Sequence, residues 1–184
     1  MNKSVEVRLV NNLPRSKLYL LIIQFCRLFF IVCLQLLMAN YEALATTEVN
    51  IPFAKDFGAD RKIVAGTNTI IVLYFSAPDC RYCMKLEEAV LKPMLKSGDY
   101  DKQVLLRKID WRSSAMVDGF TGQRISLYGL AERYAVKVTP TLVFVDSKGR
   151  EVAPRILGFQ SADFFWFYLD RRIEQSRLEI LSEP

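Results

Sequence analysis

Residues 69–83 read TIIVLYFSAPDCRYC: a β-branched and aromatic run, a proline-containing break, and two cysteines three positions apart. Thr69 to Ser76 shows no clean alternation of apolar and polar residues, the pattern of a strand covered on both faces. Ala77-Pro78-Asp79 stops that strand. From Cys80 to Lys96 the residues Cys83, Leu86, Val90 and Met94 recur at helical intervals, with Pro93 expected to kink the helix. Cys80-Arg81-Tyr82-Cys83 therefore sits where a buried strand hands over to a helix.

That position matters more than the C-x-x-C spacing. A sulfur at a helix N-terminus faces unpaired backbone N–H groups and the positive end of the macrodipole, which stabilise the thiolate that attacks disulfides. The second sulfur, one turn on, lies on the same side and can displace a partner from the first. Cys80 is thus expected to be the more exposed and acidic thiol, and Cys83 the more buried. Three other uses of the pair compete. A purely structural disulfide would close too short a loop to remove much unfolded-state entropy. A zinc or iron–sulfur site needs further soft ligands, but the chain has no histidine and its other cysteines are Cys26 and Cys33, so no metal is expected. Two inert thiols would form a disulfide readily in an oxidising compartment.

Downstream, Gln103 to Trp111 reads as a second strand, and the polar stretch 112–123, with Gly119 and Gly122, as a long loop. Ile125 to Val136 reads as a helix. Thr141 to Asp146 and Glu151 to Leu157 form a hairpin around Ser147-Lys148-Gly149-Arg150. A last helix is expected from Ser161, a suitable N-cap, through the aromatic run Phe164 to Tyr168 toward Ile173. A short helix is expected around Ala54 to Ala65. The order βαβ then ββα predicts an α/β domain with a mixed sheet and helices on both faces. The run 164–168 is too aromatic to fit one buried stripe, so part of it is expected at the surface. Glu87 and Glu88, one helical turn beyond the cysteines, are expected to be solvated helix charges, with a catalytic carboxylate there as the alternative.

The first 45 residues differ from the rest. Lys3, Arg8, Arg15 and Lys17 precede a nearly continuous apolar stretch from Leu18 to Ala39, broken by Gln24, Arg27 and Gln35. A central arginine costs a spanning helix roughly 2.5–3.5 kcal/mol. This favours Leu28 to Ala39 as the apolar core of a signal peptide, cleaved after Ala43-Leu44-Ala45. The expected division is 1–45 as signal peptide and 46–184 as the mature domain, with an uncleaved anchor through residues 18–39 as the alternative. Export is common to both. Without residues 1–45 the basic and acidic residues fall from 25 and 20 to 20 and 18, a net charge of +2 instead of +5. No clustered basic face remains, so nucleic acid is not an expected partner.

The segment Phe75-Ser76-Ala77-Pro78-Asp79-Cys80-Arg81-Tyr82-Cys83 resembles the active-site segment of the thioredoxin superfamily. Val138-Thr139-Pro140-Thr141-Leu142-Val143-Phe144-Val145 resembles its cis-proline loop and the strand that follows. Gly149-Arg150-Glu151, Arg155 to Phe159 and Ala162 to Trp166 are similar to periplasmic thioredoxin-like proteins associated with bacterial sulfur oxidation. The resemblance, from Ile70 to Arg172, implies a thioredoxin fold. It implies a thiol–disulfide oxidoreductase with Cys80 as nucleophile, Cys83 as resolving thiol and Thr139-Pro140 orienting the substrate, and no cofactor beyond the Cys80–Cys83 disulfide. It also implies periplasmic protein thiols and disulfides as partners and electrons delivered across the membrane, so that the direction is reductive. A redox-sensing or scaffold module without turnover is the alternative.

Three departures stand out, the first being the stretch 112–123, longer than in plain thioredoxin and readable either as a partner-recognition element or as a solvated insertion. The buried acid of ordinary thioredoxin falls at Tyr74, so proton transfer has to use another group, such as water or Asp79. The dipeptide between the cysteines is Arg81-Tyr82. Arg81 can lower the Cys80 pKa while Asp79 opposes it, which makes Asp79, Arg81 and Tyr82 the candidate tuning residues.

Overall fold

The computed structural model describes residues 15–42 and 48–182. They belong to two compact units, Met1–Glu48 and Val49–Pro184. In the first, Arg15–Glu42 forms one helix, α1. Its stretch Tyr19–Leu36 is long and apolar enough to cross a membrane, a property that anchors and signal sequences share. At a rise of 1.5 Å per residue those 18 residues extend about 27 Å, close to the thickness of a bilayer's hydrocarbon core. Ala43-Leu44-Ala45 and Thr46, where cleavage is expected, lie outside the described residues.

The second unit contains, in order, α2 (Phe57–Val64), β1 (Ile70–Ser76), α3 (Arg81–Leu86), a π-helical turn (Glu87–Leu91) and α4 (Lys92–Ser97). It continues with β2 (Val104–Asp110), β3 (Met116–Asp118), β4 (Arg124–Ser126), α5 (Leu127–Arg133), β5 (Thr141–Val145), β6 (Glu151–Leu157) and α6 (Ala162–Ser182). The main sheet runs β2-β1-β5-β6. β2 lies parallel to β1, while β5 and β6 are antiparallel to their neighbours. Every residue of β1 is buried, as its continuous apolar run requires of a central strand. Alternate residues feed two cores. Ile70, Val72 and Tyr74 pack with Leu86, Val90 and Leu169 on one face, and Ile71, Leu73 and Phe75 with Phe57, Leu130 and Val136 on the other. This is the mixed, two-sided α/β architecture expected from the order of elements.

Short polar caps set where helices begin. Asp56 accepts a hydrogen bond from the Ala59 N–H at α2 and Ser126 one from the Gly129 N–H at α5, each at 2.9 Å. The helix expected over residues 125–136 is shorter because Arg124–Ser126 pairs with Met116–Asp118 as a two-stranded ribbon. The stretch 112–123 is therefore not a free loop: Val117 and Phe120 are buried, and the Phe120 ring stacks on Phe57 at 4.6 Å. The distortion expected at Pro93 lies one turn earlier, in the π-helical turn 87–91. Proline has no N–H for the Ala89 carbonyl, and its ring crowds that carbonyl, so the turn ahead of it opens. The wider turn places Leu86, Val90, Leu91 and Met94 all in the core. In α6 Phe165, Leu169 and Ile173 are buried, while Phe164, Phe167 and Tyr168 are exposed, the split expected for residues 164–168.

Candidate active site

β1 ends at Ser76, and Ala77-Pro78-Asp79 carries the chain onto the helical run 81–97 with Cys80 as its N-cap. The Cys80 Sγ accepts the Cys83 N–H at 3.1 Å. Cys80 and Cys83 are joined as a disulfide, their Cα atoms 5.2 Å apart. The two sulfurs differ in setting: Cys80 is half-buried, whereas Cys83 is 1% exposed and belongs to the core beneath the sheet's face. An incoming group can approach only the first. No cluster of three or more histidine, cysteine, aspartate or glutamate side chains suited to a metal occurs among the described residues.

The other candidates from the sequence surround the outer sulfur. Asp79 and Arg81 are exposed; Asp79 faces Arg112 across 3.5 Å, both largely in solvent. Tyr82 is exposed, with the Lys85 ammonium 6.0 Å from its ring centroid. Thr139 is half-buried and Pro140 buried, and the peptide bond between them is cis. Phe75 pairs with Thr141 and Thr141 with Leu157, so Thr139-Pro140 enters β5 at the end of the sheet from which β1 leaves toward Cys80. The Pro140 carbonyl accepts the Gly158 N–H at 2.8 Å, which ties this loop to the strand beyond it.

Beneath the disulfide, one expectation fails. Glu87 is not a solvated charge. Its side chain is 15% exposed, and its Oε1 accepts a hydrogen bond from the Tyr74 hydroxyl at 2.9 Å and an ion pair from Lys108 Nζ at 2.6 Å. Glu88, exposed, pairs with Lys92 and fits the expectation. The cause lies in register. Glu87 follows Cys83 by four residues, one helical turn, and so shares its inward face. Lys108 is the cross-strand partner of Tyr74, and Phe53 that of Lys108, so all three project from one row of the sheet. The Lys108 ammonium lies 5.5 Å from the Phe53 ring centroid and 6.0 Å from that of Tyr74. The Tyr74 hydroxyl also lies 3.2 Å from Ser76 Oγ and 3.4 Å from the Cys83 carbonyl. Burial, reinforced by Glu87, pushes the Tyr74 phenol far above the ordinary tyrosine range. Ser76, Cys83, Glu87, Lys108 and Asp110 line a cleft of about 210 Å³ under the cysteines. Sequence reasoning missed Lys108 and held a catalytic carboxylate at Glu87 only as the alternative; the i+4 spacing from Cys83 was the available signal for the latter.

A mixed sheet whose central strand delivers a C-x-x-C disulfide to the start of a helix, with an X-Pro loop at the same sheet end, defines a thioredoxin-fold dithiol protein. The chain belongs to the thioredoxin-like domain family, which matches residues 57–173. No curated protein matches it. Similar solved structures include the periplasmic thioredoxin SoxS from Paracoccus pantotrophus, at 23% identity over 58% of this chain and 98% of that one, TM-score 0.43. Thioredoxin NaTrxh from Nicotiana alata is 20% identical over 68% and 97%, TM-score 0.47. A thioredoxin-fold protein from Helicobacter pylori is 20% identical over 69% and 98%, TM-score 0.46.

Proposed function

We propose that the protein is an exported thiol–disulfide oxidoreductase that reduces disulfides of partner proteins. The observation that carries this reading is the asymmetry of the Cys80–Cys83 disulfide, one sulfur accessible and the other in the core. In the reduced protein Cys80 Sγ attacks a partner disulfide, forming a mixed disulfide and releasing one partner thiol. Cys83 Sγ then attacks Cys80 Sγ, which frees the second partner thiol and leaves Cys80 and Cys83 oxidised. Thr139-Pro140 would hold an extended partner segment beside the cysteines by backbone pairing. Asp79, Arg81 and Tyr82, all at the exposed rim, would tune Cys80. Return to the dithiol requires an electron donor, a role that falls to a membrane dithiol carrier. Export, as signal peptide or anchor, is supported by α1 with its apolar stretch.

Turnover is the test. Catalytic reduction of insulin disulfides with many cycles per molecule, abolished in Cys80→Ser, is the expected result; binding to partners without turnover would favour a redox switch. The reduction potential of the pair then reads the direction, and a value well above that of the partner disulfides would overturn the reductive assignment.

A further inference from the structure

Cys83 has to lose a proton to resolve the mixed disulfide, and its surroundings oppose this. It is 1% exposed and shares a core with Leu86, Val90 and Leu142, a setting that disfavours a thiolate. Resolution near neutral pH therefore calls for a base that can take the proton as the new bond forms. Tyr74, on the strand directly beneath, cannot be that base, because its buried phenol stays protonated. Asp79 is exposed on the outer side and faces Arg112. Asp110 lines the same cleft, but it stands at the end of β2 beside the turn that its Oδ1 caps by accepting the Arg112 N–H at 3.1 Å, and not on the helical run that carries Cys83.

Glu87 has what the others lack. It is one turn from Cys83 on the same helical face, it lines the same cleft, and its carboxylate is held in place by two donors. Both donors meet Oε1, which leaves Oε2 to receive a proton. Tyr74 fixes the carboxylate from below, its hydroxyl at once within 2.9 Å of Glu87 and 3.4 Å of the Cys83 carbonyl. Lys108 holds it from β2 at 2.6 Å, with the Phe53 ring centroid 5.5 Å from the ammonium. The titratable and charged groups facing Glu87 are thus Lys108 and Asp110 from β2, Tyr74 from β1 and Cys83 from its own helical run.

Resting on the exchange reading above, we propose that Glu87, acting across the cleft, is the general base that accepts the Cys83 proton during resolution. The Cys83 S–H bond breaks as the Cys83–Cys80 S–S bond forms. The bond from Cys80 to the partner sulfur breaks with its electron pair going to the partner. The proton passes through solvent in the cleft to Glu87 Oε2 and is returned from there to the partner thiolate, so the partner disulfide ends as two thiols.

The experiment follows the mixed disulfide itself. Reduced full-length protein is mixed with excess oxidised glutathione, quenched with acid at successive times, and the Cys80–glutathione adduct is counted by mass spectrometry across a pH series. In Glu87→Gln the adduct should accumulate and resolve about 100-fold more slowly near pH 6.5, while its rate of formation stays within about twofold of the wild type. The difference should narrow as the pH rises, because hydroxide can then take the Cys83 proton in place of Glu87. Asp110→Asn should behave as the wild type. Lys108→Gln should also slow resolution near pH 6.5 with adduct formation unchanged, because the carboxylate loses one of the two donors that hold it in the cleft; this second variant serves where Glu87→Gln fails to fold. A wild-type resolution profile in Glu87→Gln, a slowing equal at all pH values, or an effect in Asp110→Asn instead would overturn the proposal. If the wild type formed no adduct at all, the exchange reading would fall and this assignment with it.

Discussion

Replacing Gly149 with alanine should test whether the stretch 112–123 is truly docked into the domain. Gly149 sits in the β5–β6 turn at φ +78°, and a Cβ built on it would meet the Phe120 ring at 2.5, 2.7 and 2.9 Å. That ring cannot swing away, because it is buried and stacked on Phe57 at 4.6 Å. The backbone conformation alone costs an L-residue about 1–2 kcal/mol, and forcing a methyl against a packed ring adds about 1–3 kcal/mol. Gly66 supplies the control: its φ is +72°, and a methyl group placed there would meet nothing within 4 Å. Gly66→Ala should then lose only the backbone part, and Gly149→Ala should be less stable than it by about 1–3 kcal/mol. Equilibrium urea unfolding of the oxidised proteins, followed by far-ultraviolet circular dichroism, reads both. Equal losses in the two variants would show that Phe120 does not occupy the space beside Gly149, and would return residues 112–123 to a solvated loop.

Two further outcomes are expected. Burial pushes Tyr74 up beyond the ordinary range and Tyr134 and Tyr100 up to about 12. A folded-state value above the unfolded one means that the stability from these groups is complete below about pH 10 and is lost as the pH rises further. Tyr74→Phe removes one such group, so its loss of stability above about pH 10 should be shallower than the wild type's by about 1.4 kcal/mol per pH unit; parallel slopes would contradict a buried, protonated Tyr74. For export, mass spectrometry of protein recovered from the periplasmic fraction should give an N-terminus at or near Thr46, whereas an intact Met1 in the membrane fraction would establish α1 as an anchor.

The parts of the fold legible in the sequence were those written in local patterns. β1 announces itself as an uninterrupted apolar run, Ala77-Pro78-Asp79 marks its end, and β6 begins where the turn residues around Gly149 place it. The cysteine pair was equally legible, because a strand, a break and a helical period meet there. What the sequence hid depends on neighbours distant in the chain. Val117 and Phe120 stand in a polar stretch, and only Phe57, some sixty positions earlier, makes Phe120 a core residue. Glu87 reads as a surface helix charge until Lys108 is set beside Tyr74 by the pairing of β1 with β2. A period of 3.6 cannot announce a π-helical turn either, since the added residue shifts the face by a step the pattern does not encode.

The most direct measurement of the central claim separates the two cysteines. Cys83→Ser should trap covalent mixed disulfides between Cys80 and partner proteins, seen as species that collapse on reduction in non-reducing gels, because the first attack survives and the resolving step is lost. Cys80→Ser should trap none at this site, since Cys83, the sulfur left there, lies in the core at 1% exposure. Cross-linked partners accumulating in Cys80→Ser, or in neither variant, would contradict the assignment of Cys80 as the attacking and Cys83 as the resolving thiol.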